Sequence, residues 1–178
     1  MNKRDKHARR DFDQERIRNT LAKPGVHDFV VVLDHLKPDF NVGKIFRTAD
    51  ALGANEIHLV GIPFFHPGSA KGSFRHVPAK FFEDFKASHA NLRERGYELF
   101  VFEPRGGVPM YEAKFGPKSA FVMGHEQFGL SFVPDDFEGV RKITIPQFGK
   151  VESMNVSIAA SLAMYECVRQ QKVPASFL

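Results

Sequence analysis

Apolar residues in this chain fall into short runs without alternation, separated by stretches with helical spacing. Asp28 to Asp34 reads DFVVVLD, a pattern that suits a strand covered on both faces, as in a parallel sheet packed between helices. Val42 to Leu52 follows with Ile45, Phe46, Ala49 and Leu52 on one stripe, and Gly53 closes the helix. Glu56 to Val60 is a second strand, and Phe81 to Arg95 a helix that Gly96 stops. Tyr97 to Phe102, Ala120 to Met123 and Val140 to Ile145 are three more strands, the last ended by Pro146, which has no N–H to give to a ladder. An alanine-rich helix then runs from Ser153, placed as its N-cap, to about Gln171. Strands alternating with helices predict an α/β fold, a mostly parallel sheet of about five strands flanked by helices. Two segments lack such a pattern. Pro104 to Lys118 is irregular, and Gly61 to Ala79, rich in Pro, Gly, Ser, Phe and His, is long enough to be a functional or a mobile loop.

Open parallel sheets bind ligands beyond the carboxyl ends of their strands. Three polar loops follow apolar strands here and should gather at one sheet edge. Lys37 to Arg47 offers Asn41 and Arg47, Gly124 to Ser131 offers Glu126 between two glycines, and Pro146 to Ser157 offers Ser153, Asn155 and Ser157. Each has a plainer reading: Asn41 as the N-cap of the helix starting near Val42, Glu126 as a turn carboxylate, and Ser153, Asn155 and Ser157 as ordinary capping. Familiar nucleotide fingerprints do not account for the cluster. Gly124 and Gly129 have the outer spacing of a phosphate loop, but Leu130 stands where its lysine is required, and no G-x-G-x-x-G follows the first strand.

Composition narrows the setting. A chain of 178 residues, 43% hydrophobic and 26% charged, is expected to form one globular unit, a domain over 25–178 preceded by a basic helical extension over 1–24. The net charge of +4 is local: eight Lys or Arg stand against four Asp or Glu through Lys23, and the remainder carries 17 of each sign. A solvated mixed-charge helix is one reading of that segment. A helix presenting Arg9, Arg10, Arg16 and Arg18 to nucleic acid is the other. No apolar run has the length of a membrane span and the N-terminus is charged, so a cytoplasmic location without membrane contact is expected. Cys167 is the only cysteine and the eight histidines show no ligand spacing, so no metal is expected.

The segments FNVGKIFRTADALGANEIHLVG, FVMGHEQFGLS and IPQFGKVESMNVSIAASLAMYE resemble, in order, the three motifs of the SPOUT superfamily of methyltransferases, in its SpoU or TrmH branch. The resemblance covers roughly Asp28 to Gln171. It implies an enzyme that uses S-adenosyl-L-methionine to methylate ribose 2′-hydroxyls of tRNA or rRNA. Lys37-Pro38 and RTADALG are similar to the tRNA enzymes that modify the D-loop guanosine. It also implies a deep trefoil knot formed by the C-terminal helix, and a homodimer with the cofactor bent inside the knot and the site completed across the interface. Gly124, Ile145, Ser153 and Met154 match cofactor-holding positions, with Gly129 allowing close approach and Asn155 beside them. Arg47 matches the arginine assigned to catalysis. Asn41 and Glu126 would orient Arg47, the ribose or a backbone N–H, and Asn155 and Ser157 would support the third loop. RNA would be gripped by the basic segment and by Lys71, Arg75 and Lys80 of the long loop, with Phe74 or His76 stacking on a base; the plainer reading makes Phe64, Phe65 and Phe74 core or dimer-interface residues. The two other readings are rRNA or base methylation and a catalytically silent RNA-binding protein.

Overall fold

The computed structural model describes residues 3–171. Its centre is a seven-stranded, wholly parallel sheet: β1 (Phe29–Asp34), β2 (Glu56–Val60), β3 (Ala79–Phe82), β4 (Glu98–Phe102), β5 (Val108–Pro109), β6 (Ser119–Met123) and β7 (Val140–Thr144), ordered β3-β2-β1-β6-β4-β7-β5. The chain builds outward from β1 to β3, crosses to β4, and returns to lay β6 between β1 and β4. Because every strand is parallel, all carboxyl ends lie at one edge.

Among the described residues four α-helices complete the fold: α1 (Lys3–Asn19), α2 (Phe40–Ala51), α3 (Phe85–Glu94) and α4 (Val156–Gln170). The unalternating run in β1 is explained by its two covered faces. Phe29, Val31 and Leu33 join the core under α2 and α4, with Val42, Ile45, Phe46, Ala160, Ala163 and Met164. Val30 and Val32 join the opposite core with Phe85 and Leu92 of α3. Complete removal of such side chains from water contributes about 1.5–3 kcal/mol each. α1 is anchored at two points. Phe12 is buried among Phe64, Phe65, Phe74 and Phe81. The Asn19 amide donates to the Phe74 and Val77 carbonyls, and its oxygen accepts from the Ala79 N–H.

The sheet has seven strands rather than about five. β3 occupies the end of the expected loop and the start of the expected Phe81 helix, which begins instead at Phe85 after Asp84 accepts the Ala87 N–H. β5, two residues long, lies in the irregular stretch. Two caps also differ. Asp39, not Asn41, caps α2, and Asn155, not Ser153, caps α4, its oxygen accepting from the Ser157 N–H at 2.9 Å. The long loop forms two 3-10 turns, Pro67–Ala70 and Ser73–Arg75, packed on α2. Gly43 permits that approach, since a Cβ there would lie 2.7 Å from the Ala70 nitrogen. Phe74 is fully buried in this packing, so it is not available to stack on a base.

Candidate active site

A cavity of about 540 Å³ opens at the carboxyl edge of the sheet. Phe102, Glu103 and Pro104 line it after β4, residues 123–127, Gly129 and Leu130 at and after the end of β6, and Ile145, Gln147 and 152–155 after β7. Val156 and Ala159 of α4 close one wall. Parallel pairing of β6 with β4 and of β4 with β7 sets these loops side by side. Its size falls in the range of pockets that enclose a small ligand.

Gly124, Glu126, Gly129, Ile145, Ser153, Met154 and Asn155 all line this cavity. Gly124 is required by contact: a Cβ would lie 2.6 Å from the Gly129 carbonyl carbon, across the turn that His125 and Gly129 close with paired backbone hydrogen bonds. Glu126 joins two loops by accepting from the Asn41 amide at 2.8 Å and the Lys37 N–H at 3.1 Å. Burial works to raise its pKa, but these two hydrogen bonds, together with smaller contributions from its own backbone N–H and from His125, outweigh it and hold the carboxyl below its ordinary value. Glu126 is therefore a fixed carboxylate and a weak base, suited to anchoring. The Asn155 amide donates to the Asn41 oxygen at 3.3 Å while the Asn155 oxygen caps α4, so one chain of side chains ties all three loops together.

Arg47 stands apart from this group. It follows Asn41 by six residues on α2, so the two side chains point about 120° apart at 3.6 residues per turn. Arg47 is exposed, does not line the cavity and makes no hydrogen bond or ion pair among the described residues. Glu126 thus takes the backbone N–H and Asn41 rather than Arg47 as its partners.

The expected RNA-contacting residues lie elsewhere, around α1 and the 3-10 turns. Arg9 and Arg10 are exposed, with Arg9 over the Phe64 ring, and Arg16 lies 4.4 Å over Phe81. Arg18 and Arg75 both pair with Glu15, at 2.9 and 3.2 Å, and Lys80 pairs with buried Glu56. Lys71 and Arg75 line a cleft of about 230 Å³ between α1 and the turns. His76 is exposed and bonded to Asp50.

Several site residues escaped the sequence reading. Phe102, Glu103 and Pro104 follow β4, whose carboxyl end faces the same edge as the three loops considered, and that position was the available signal. Asp34, fully buried at the end of β1, accepts the Ser131 N–H at 2.6 Å and the Ser131 hydroxyl at 2.8 Å, fixing the far end of the β6 loop. An acidic residue closing an otherwise apolar strand was the signal there. Gln147 also lines the cavity, and its buried side-chain oxygen has no partner within the protein. An orphaned acceptor facing a cavity fits an N–H donor such as an adenine amino group. The residues present therefore suit S-adenosylmethionine: backbone turns around Gly124 and Gly129, apolar Ile145 and Met154, and polar Gln147 and Asn155. Among the described residues no three His, Cys, Asp or Glu side chains are grouped to hold a metal ion, and no helix is long and apolar enough to cross a membrane.

Comparison with known proteins places these features. The profile of the SpoU rRNA Methylase family matches residues 28–165. A tRNA (guanosine(18)-2′-O)-methyltransferase of Thermus thermophilus is 31% identical over 150 residues, covering 81% of this chain and 76% of that one. The A. aeolicus TrmH/SpoU tRNA modifying enzyme superposes with a TM-score of 0.74 at 27% identity, covering 88% of this chain and 81% of that one. The AdoMet-bound rRNA methyltransferase from Sinorhizobium meliloti superposes with a TM-score of 0.73 at 26% identity, covering 88% of this chain. The chain spans only 61% of that structure and 66% of a Staphylococcus haemolyticus relative.

Proposed function

This chain belongs to the SpoU rRNA Methylase family, and from that premise we propose that it is an S-adenosylmethionine-dependent RNA ribose-2′-O-methyltransferase of the cytoplasm, acting on tRNA at the D-loop guanosine. The observation that carries the reading is the cavity at the carboxyl edge, where Gly124, Gln147 and Met154 suit the cofactor and Asn41, Glu126 and Asn155 interlock beside it. The names of the Thermus and A. aeolicus relatives support tRNA as substrate.

When bound, S-adenosylmethionine supplies an electrophilic methyl on sulfur. The protein's task is to bring the ribose oxygen into line and to help it lose a proton; alignment alone supplies several kcal/mol. Asn41, held by Glu126 and Asn155, is assigned to orient the ribose. Guanidinium groups keep their proton throughout the pH range of folded proteins, which makes arginine a poor base. Arg47 is assigned instead to grip the neighbouring phosphate and stabilise the developing alkoxide, with proton removal shared or relayed.

A homodimer accounts for the position of Arg47 outside its own chain's cavity. α4 is apolar on both faces: Ala160, Ala163 and Met164 are buried, yet Ile158, Leu162 and Tyr165 on the outer face remain 51%, 38% and 62% exposed. Large apolar side chains at this spacing form one stripe that a second copy would cover, and the site is then completed across the interface, with α4 threaded as a trefoil knot. Leu162→Glu, altering an exposed position, is expected to halve the mass measured by sedimentation equilibrium and to reduce transfer more than tenfold without loss of helical circular dichroism. A monomeric wild-type protein of full activity overturns the shared site.

The function itself is tested with labelled S-adenosylmethionine on total tRNA and total rRNA in parallel, followed by nucleoside analysis. A 2′-O-methylguanosine from the tRNA pool is expected. Label confined to rRNA would reassign the substrate, and no label together with no cofactor binding in calorimetry would leave an RNA-binding protein.

A further inference from the structure

The turn after β6 presents a side chain that the reaction described above does not use. Phe128 is 78% exposed, yet the backbone carrying it is held on all sides. His125 and Gly129 exchange backbone hydrogen bonds at 2.8 and 2.9 Å. Within the turn, the His125 Nδ1 accepts the Gln127 N–H at 3.0 Å and the Phe128 N–H at 3.3 Å. The imidazole ring stacks on Phe128 at 4.7 Å and 30°. Gln127 and Gly129, on either side, line the cavity, so the phenylalanine stands at the rim. Ordinary surface phenylalanines do not call for a five-residue turn braced by four hydrogen bonds and backed by a second ring.

We propose that Phe128, backed by His125, is a stacking platform for an unpaired nucleobase next to the ribose that is methylated. The inference rests on the RNA-methyltransferase reading and adds a substrate-contacting residue to it. Stacking suits a base because every base offers a π-face, and an exposed ring with a fixed backbone loses little entropy when one lands on it. Charge complements the ring. Lys37, whose N–H donates to Glu126 of the same loop, is exposed and makes no ion pair among the described residues, leaving a cation for a neighbouring phosphate. The opposite loop, after β7, carries a second bare ring at its own tip: Phe148 is 95% exposed. The occupant is therefore a base in a single-stranded loop, not one stacked within a duplex.

The test combines methyl-transfer kinetics on total tRNA with fluorescence quenching of a short single-stranded RNA carrying 2-aminopurine. Phe128→Ala and Phe128→Leu are expected to raise KM for tRNA roughly tenfold, within the range for loss of base stacking on an aromatic ring. The same variants should leave kcat and cofactor affinity within about twofold and lose most of the quenching. Phe128→Trp should retain wild-type KM and quenching. Wild-type KM and quenching in Phe128→Ala would overturn the platform, as would dissociation of a dimer by that substitution, which would make the ring an inter-copy contact. A wild-type protein that quenches 2-aminopurine through Phe128 but methylates no RNA would uphold the platform and refute the methyltransferase reading.

Discussion

Arg47→Ala is expected to lower methyl transfer by about 10³-fold while leaving S-adenosylmethionine affinity within a few-fold. The magnitude is that of deleting one preorganised group that stabilises developing charge in an enzyme transition state. The separation of the two effects follows from geometry. Arg47 is not part of the cavity lining and makes no hydrogen bond or ion pair with the Glu126–Asn41–Asn155 chain, so its removal leaves the polar framework of the cofactor site as it is. A solvated arginine inside α2, with no hydrogen bond or ion pair among the described residues, is free to meet an anion at no cost in broken contacts. Arg47→Lys should recover only a small part of the activity, because an ammonium keeps the charge but lacks the planar fork that binds a phosphate through two parallel hydrogen bonds. Single-turnover rates at saturating RNA, beside calorimetric cofactor titration, separate chemistry from binding. Near-normal turnover of Arg47→Ala on its own RNA would remove Arg47 from the mechanism.

Central strands and the strand-end loops were legible because they obey local rules. DFVVVLD has no solvent face, and its residues alternate between two cores rather than between core and water. The loops after β1, β6 and β7 meet because a parallel sheet collects its carboxyl ends. What sequence could not supply were partners chosen by tertiary packing. β3 is only half-buried at the sheet edge, and its AKFF pattern merges with the apolar spacing of α3. The capping carboxylate Asp84 marks the boundary in the structure. Ser153, Asn155 and Ser157 are all competent caps by type, and the choice fell to Asn155 because its amide also reaches Asn41. Asn41 was freed from capping by Asp39. Phe74, free to stack on a base when read as loop, is instead packed by Phe12 of the distant α1.

The amino-end side of the sheet holds an ionic cluster that no periodicity announces, and it carries the largest stability effect expected here. Glu56, 4% exposed at the start of β2, accepts from Arg95, pairs with Lys80 at 3.0 Å and receives the His58 Nε2–H at 2.8 Å. His58 is fully buried, and its Nδ1 accepts the Ser88 hydroxyl at 2.8 Å. Burial lowers the His58 pKa against the pull of Glu56, so the ring is neutral at pH 7. For Glu56, burial acts to raise the pKa, but the hydrogen bonds from His58, Arg95 and Lys80 together bring it down to about 2. A depressed carboxyl contributes stability above its unfolded pKa, near 4.5, and that stability is lost as pH falls through the folded value. The full linkage is of order 3 kcal/mol.

Glu56→Gln keeps the acceptor oxygen and removes the charge. Breaking a buried pair costs about 3–5 kcal/mol. Arg95 and Lys80 are 29% and 42% exposed, so water partly solvates the cations left behind and the expected loss at pH 7 is nearer 2 kcal/mol. In a chain of this length that lowers the melting temperature by roughly 4–8 °C. The sharper sign is in the pH dependence. Between pH 4.5 and 2 the wild type should lose up to about 1.4 kcal/mol per pH unit more than the variant, the limiting slope of one proton taken up on unfolding. His58 also weakens the fold below its ordinary value of 6.5, more strongly in the variant, where the pull of Glu56 on the ring is gone, so the difference between the two acid limbs is a lower bound on the share of the carboxylate. Urea unfolding of both proteins at pH 6, 4.5 and 3.5 reads the difference, and parallel acid limbs would mean that Glu56 is not held ionised by this cluster.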